Sequence, residues 1–248
     1  MTAPLATPLR ILLLDTETNG LPKNRFAPIS EAGVWPAILQ LSWAEFTVTG
    51  STMVAGPTRD IGIALHPSIA WNADAAKIHK ITETEARQGL SGQEALFALG
   101  TVLRTVDVVV AHNLAFDKPV IRAAAYAEWL RGGSPELREI WPRDLREFCT
   151  MNATRDIVCI PSPYYGAPGP HNPAGKFKIP RLSELYTWLH GYNYDISGAV
   201  LHSSSSDTHC LGQCMSELLR RGLIVAEGGA VMSFKVSETA TLTSVTSS

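Results

Sequence analysis

The chain has 248 residues, of which 45% are apolar and 18% charged, with a formal net charge of -2. That composition describes one soluble globular domain able to bury a sizeable core, and it excludes collagen-like, coiled-coil and wholly disordered chains. No apolar run approaches the roughly 18 residues that cross a bilayer, and the charge argues against coating nucleic acid by bulk electrostatics while leaving room for a local basic lining.

Leu9 to Leu14 is apolar except for Arg10, follows Pro8 and leads into a Thr/Asn/Gly turn, so it reads as a buried central strand. Its apolar run, Ile11 to Leu14, is too short for a signal peptide and meets Asp15, which makes the cytoplasm the expected compartment. Ala37 to Val48 carries two interleaved rows, Ile38, Gln40 and Ser42 against Leu39, Leu41 and Trp43; this suits a second strand, and Gly50 then marks a turn. Ile61 to Leu65 is the candidate third strand. A helical segment rich in Ala, Glu and Lys runs from about Asn72 to Gln88 and breaks near Ile81-Thr82, where Thr82 and Glu85 have capping-box spacing. Ser91 caps the next helix.

Val106 to Ala111, apolar but for Asp107, reads as another buried strand, and Leu114 to Leu130 as an Ala-rich helix ending at Gly132-Gly133. From Cys159 to Pro180 the composition turns to Pro, Gly and Tyr, which indicates a long irregular loop. There Tyr164, Tyr165 and Phe177 interleave with Lys176, Lys178 and Arg181, a set that can stack bases and pair with phosphates, or pack its own aromatics and bind a partner protein. Leu182 to Leu189 and Asp207 to Arg220 are the last expected helices, and Ser237 to Ser248 reads as a disordered tail. Strands that alternate with helices give an α/β domain. The four cysteines are read as reduced thiols; Cys210 and Cys214 lack a second pair for zinc and suit the core face of the last helix.

Asp15 and Glu17 stand two apart at the end of the first strand, where the period of two puts both carboxylates on one face. Such a pair repels itself and calls for a cation, a proton or a basic partner, although two acids in a solvated turn before a glycine would look the same in sequence. Asp117, in the first turn of the helix after His112-Asn113, is either a helix-start carboxylate or a third acid of the same cluster. Asp207 opens the last helix, with His202 five residues before it. Oxygen-only ligands without clustered His or Cys favour Mg²⁺ or Mn²⁺ over Zn²⁺. Four carboxylates at element ends suit phosphodiester hydrolysis with two divalent ions, and a His near neutrality suits removal of the proton from the attacking water.

Asp15-Thr16-Glu17-Thr18-Asn19-Gly20, His112-Asn113-Leu114-Ala115-Phe116-Asp117 and His202 to Asp207 resemble, in order and spacing, the three motifs of the DEDDh branch of the DEDD 3'-5' exonuclease superfamily, with bacterial proofreading subunits and ribonuclease T-like enzymes among its members. The likeness spans Leu9 to Leu219. It implies an RNase H-like α/β fold, a mixed five-stranded sheet flanked by helices, over residues 1–222, with residues 223–248 a partly disordered C-terminal extension. It further implies that Asp15, Glu17, Asp117 and Asp207 bind two Mg²⁺ or Mn²⁺ ions, with His202 as general base. Lys77-Ile78-His79-Lys80-Ile81-Thr82 is similar to a family segment whose His touches the terminal nucleotide, with Lys80 where a glycine is usual. Thr18, Leu21 and Asn113 match positions that hold that nucleotide. The implied partners are nucleic acid with a free 3' end, most of all single-stranded DNA, and a polymerase or a replication or repair assembly, with no membrane. The implied products are nucleoside 5'-monophosphates. RNA trimming, or a catalytically silent nucleic-acid-binding module, are the alternative functions.

Overall fold

A computed structural model describes residues 8–162, 177–193, 202–227 and 233–237. Tyr164, Tyr165 and Lys176 of the expected basic aromatic loop lie outside the described residues, as do residues 238–248 of the expected tail.

Strand β1 (Leu9–Thr18) is the centre of a five-stranded mixed sheet. On one side it pairs antiparallel with β2 (Ile38–Thr49), which pairs antiparallel with the edge strand β3 (Thr52–Gly62). On the other side β4 (Val108–Ala111) and then β5 (Arg146–Cys149) run parallel to it. The strand order is therefore β3-β2-β1-β4-β5, the mixed five-stranded arrangement that the motifs imply.

Alternation along β1 divides the core into two layers. Leu12 and Leu14, with Leu41, Trp43 and Val109, pack against α3 (Gly92–Leu103) and α4 (Leu114–Leu130). Leu9, Ile11 and Leu13, with Val108 and Val110, pack against α7 (Leu182–His190) and α8 (Ser204–Arg220). Between β3 and α3 the chain forms α1 (Ala73–His79) and α2 (Glu83–Arg87). The capping boxes at Thr82/Glu85 and Ser91/Glu94 are both formed, so the break at Ile81-Thr82 is a true helix boundary. After β5 come the one-turn helices α5 (Thr150–Ala153) and α6 (Arg155–Val158).

Two expected elements are displaced. The third strand is Thr52–Gly62 rather than Ile61 to Leu65, because Gly50, at φ +60°, folds the chain straight back onto β2. Exposure of β3 along nearly its whole length erases the alternating pattern, and Gly56-Pro57 is tolerated in it because an edge strand can lack an inward N–H. Ile63 instead bridges to Leu90. The last helix begins at Ser204, three residues before Asp207, since the Ser203 hydroxyl accepts the Ser206 N–H at 3.2 Å and caps it.

Beyond Gly222, β6 (Ile224–Glu227) and β7 (Ser233–Val236) form an antiparallel pair. Ile224 and Phe234 are buried in the second core layer, Phe234 with its ring 5.4 Å from that of Phe148. None of the four cysteines is in a disulfide, and Cys210 and Cys214 are buried on the core face of α8. No helix among the described residues is long and apolar enough to cross a membrane.

Candidate active site

β1 delivers Asp15 and Glu17 on the face that α8 covers, two residues beyond Leu13 in the same row. A register shift between Glu17 and Thr18 ends the regular ladder there; such bulges turn a strand end and re-aim its side chains. Asp207, in the first turn of α8, comes down on the pair. Carboxylate oxygens of Asp15, Glu17 and Asp207 all lie within 4.8 Å of one another.

Asp117 reaches the same end of the sheet from the opposite layer. It lies on α4, is 3% exposed, and its Oδ1 accepts the Thr16 hydroxyl at 2.8 Å. Thr16 sits between the two acids of β1 in sequence and, by alternation, on the other face. The structure therefore joins three of the expected acids in one cluster, with Asp117 close enough to act on Asp15 and Glu17 by its charge.

Electrostatics at this point are unfavourable for anions. Burial raises the Asp15 carboxyl well above its usual range, and repulsion from Asp117, Asp207 and Glu17 adds to it. Glu17 is pushed up to about 8 by burial and then by Asp207 and Asp117. Burial carries Asp117 to about 7 against the opposing hydrogen bond from Thr16. Asp207 is raised by burial, opposed by the His202 N–H and charge. Among the described residues Asp15 Oδ2 is buried with no hydrogen-bond partner, and no ion pair reaches the cluster. An orphaned carboxylate oxygen among mutually repelling acids fits the donor set of a hard divalent cation.

His202 is exposed, adopts φ +95°, and donates its backbone N–H to Asp207 Oδ1 at 3.4 Å. Its ring makes no hydrogen bond among the described residues. The other expected nucleotide contacts lie on separate elements. The Thr18 hydroxyl donates to the Gly20 carbonyl at 2.7 Å, Leu21 is 81% exposed, and Asn113 holds φ +94° at the start of α4 without capping it. His79 is buried; its Nδ1 accepts the Ile81 N–H at 3.0 Å, its Nε2 has no partner among the described residues, and it meets the Trp71 ring edge-on. Lys80 takes the left-handed conformation, φ +62°, that the glycine of the similar motif would take freely. In the long loop, Lys178 is ion-paired with Glu184.

Three features were not singled out from sequence. Thr16 as the tether of Asp117 is signalled only by a polar residue in the inward row of a buried strand. His112 bridges Thr150 Oγ1 at 2.9 Å and the Pro180 carbonyl at 3.0 Å, and burial holds its ring neutral, at about 4. Asn19 binds the Ala70 carbonyl at 2.8 Å and accepts the Asn72 N–H at 2.9 Å, which fixes the approach to α1.

Solved structures with this fold exist. Escherichia coli exonuclease I in complex with a 5cy-dA13 oligonucleotide superposes with a TM-score of 0.57 at 16% identity, over 85% of this chain and 40% of that one. Exonuclease I from Methylocaldum szegediense gives 0.57 at 18% identity, over 86% of this chain and 41% of its own. The fold is that of the exonuclease I structures. It agrees with the RNase H-like architecture implied by the motifs. The chain spans about two-fifths of the length of those structures. No family model and no curated protein matches the chain.

Proposed function

We propose that this chain is a metal-dependent 3'-5' exonuclease that hydrolyses the terminal phosphodiester of single-stranded DNA and releases nucleoside 5'-monophosphates. The observation that carries this reading is the convergence of Asp15, Glu17 and Asp207 within 4.8 Å, with Asp15 Oδ2 buried and unpartnered. Solved neighbours of the same fold include exonuclease I with dA16 and with dT13 oligonucleotides, which supports a single strand as substrate.

In this reading Asp15, Glu17 and Asp207 hold divalent cations, Mg²⁺ or Mn²⁺, and Asp117 completes a two-ion site from the other layer. Two such ions supply charge neutralisation for the attacking and departing oxygens at the phosphorus. His202 takes the proton of the attacking water; its exposed place beside Asp207 leaves the ring free to approach substrate. Leu21 stands clear of the surface to wedge the last base, Thr18 and Asn113 line the rim, and His79 offers only its Nε2 to the terminal nucleotide. A cytoplasmic replication or repair assembly, with a polymerase as protein partner, is the setting this reading supposes.

Digestion of matched 5'-labelled DNA and RNA oligonucleotides with Mg²⁺ or Mn²⁺ tests it, with EDTA and Asp15→Ala as controls. A metal-dependent ladder shortening from the 3' end, faster on DNA and absent in the variant, is the expected result. Faster RNA cleavage transfers the assignment to RNA trimming. Retained binding without cleavage of either strand refutes the enzyme.

A further inference from the structure

Two rows cross the sheet beside the acids. Asp15 pairs with Ser42, which pairs with Asp60; Glu17 pairs with Gln40 two residues further along. Gln40 and Ser42 thus share the face of the two acids, and α8 lies over them. Ser42 Oγ donates to Asp60 Oδ1 at 2.6 Å, and Gln40 Nε2 donates to the same oxygen at 2.8 Å. With its one proton so used, Ser42 accepts from the Ser204 hydroxyl, 2.6 Å away. Ser204 N–H donates to Gln40 Oε1 at 3.2 Å and closes the ring. Ser42 and Ser204 are buried, at 1% and 0% exposure, so their polar atoms depend on these partners.

Ser204 is the first residue of α8, three before Asp207 and two after His202. We propose that the ring of Gln40, Ser42, Asp60 and Ser204 is a positioning device that sets the first turn of α8, with Asp60 as a positioning residue for Asp207 and His202 from two strands away. The inference rests on the reading of the site under Proposed function and extends it to an acid outside the motifs. Asp60 binds neither cation nor substrate; its oxygen collects two donors, and so fixes the rotamers of the two β2 side chains that hold α8. Outer partners of this kind typically govern metal affinity or activity by about 10- to 100-fold.

The test compares Asp60→Ala with Asp60→Asn, whose Oδ1 still accepts both donors. Asp60→Ala is expected to lower kcat by about 10- to 100-fold and to weaken Mn²⁺ binding, titrated on the protein alone, to a similar degree. KM for a single-stranded oligonucleotide should stay within about threefold, since Asp60 stands two strands from Asp15. Asp60→Asn should keep all three within about threefold. Ser204→Ala is a second route to the same defect, usable if Asp60→Ala does not fold, and combining the two should cost no more than the larger single loss. Wild-type kcat and Mn²⁺ affinity in a folded Asp60→Ala protein would overturn the proposal. Equal loss in Asp60→Asn would overturn it too, because charge rather than geometry would then be at work. If the wild-type protein cleaves no oligonucleotide, the proposed function fails, and Mn²⁺ affinity alone still decides for or against the ring.

Discussion

Replacing Glu17 by Gln should stabilise the metal-free protein at alkaline pH while removing its activity. Glu17 rises from 4.5 to about 8 on folding, first through burial and then through Asp207 and Asp117. A raised carboxyl pKa means that the folded chain binds more protons than the unfolded one between those values. Stability contributed by the protonated form is therefore complete below about pH 4.5 and is lost as pH climbs towards 8. At about 1.4 kcal/mol per pH unit the full displacement corresponds to about 5 kcal/mol. Asp117 and Asp207 also take up protons and relieve Glu17, so about 2 kcal/mol is the expected gain for Glu17→Gln at pH 9, or roughly 4 to 8 °C in Tm for a domain of this size. Thermal melts of both proteins in EDTA at pH 5, 7 and 9 measure it: the curves should coincide at pH 5 and separate with the variant on top at pH 9. Saturating Mg²⁺ should reverse the order, since a ligand at 100 times its Kd adds about 2.7 kcal/mol to the protein that binds it. Parallel melts across the pH range, or a variant less stable at pH 9 in EDTA, would refute the account of the site as acids in want of a cation.

Other perturbations probe separate links. His202→Ala should lose about 10²- to 10⁴-fold in turnover and keep its Mn²⁺ affinity; undiminished turnover on a labelled oligonucleotide would remove His202 from the chemistry. Lys80→Gly, at a left-handed helix end, should raise stability by about 0.5 to 1 kcal/mol in urea titration, because glycine adopts that φ without a Cβ penalty. Phe234→Ala should cost about 3 kcal/mol, read as a lower denaturation midpoint, since Phe234 fills the core beside Phe148; a midpoint unchanged from wild type would mean that β6 and β7 add nothing to the domain.

How much was legible in the sequence follows from what each element reports locally. β1 and α4 were readable because an apolar run and an Ala-rich period carry their own burial signal, and the capping boxes because they need only four consecutive residues. The placement of Asp15 and Glu17 on one face followed from alternation alone. β3 was not readable: its residues are exposed, and its position depends on β2 and the Gly50 turn rather than on any pattern of its own. The β6–β7 pair escaped for a similar reason, since only Ile224 and Phe234 mark it as part of the core. Asp117 was legible as an acid near a helix start, but not its approach from the opposite layer or its bond to Thr16, which joins residues 101 apart. The serine run before Asp207 carries no sign of burial in the sequence. Ser204 instead contributes to a buried polar contact with β2 that only the tertiary fold reveals.

The tethers of this site share one property: all are electrically neutral at the point where they touch the acids' own elements. Thr16 holds Asp117 with a hydroxyl, Ser203 and Ser204 fix α8 with hydroxyls and an amide, and His202 offers Asp207 a backbone N–H. A lysine or arginine in place of Thr16 would pair with Asp117 and lower the acids' pKa values more strongly than a hydroxyl does. It would also neutralise the charge that attracts a cation and compete for the same oxygens. Hydroxyl and amide groups compensate only in part, so burial and the repulsion among Asp15, Glu17 and Asp207 leave their pKa values raised. In the proposed function, a divalent ion held by these acids would relieve that repulsion, and the stability lost at alkaline pH would become part of its affinity. The same arrangement explains why the second anchor of α8, Asp60, stands two strands away: an acid serves there as an acceptor for Ser42 and Gln40 without joining the cluster whose charge it would otherwise increase.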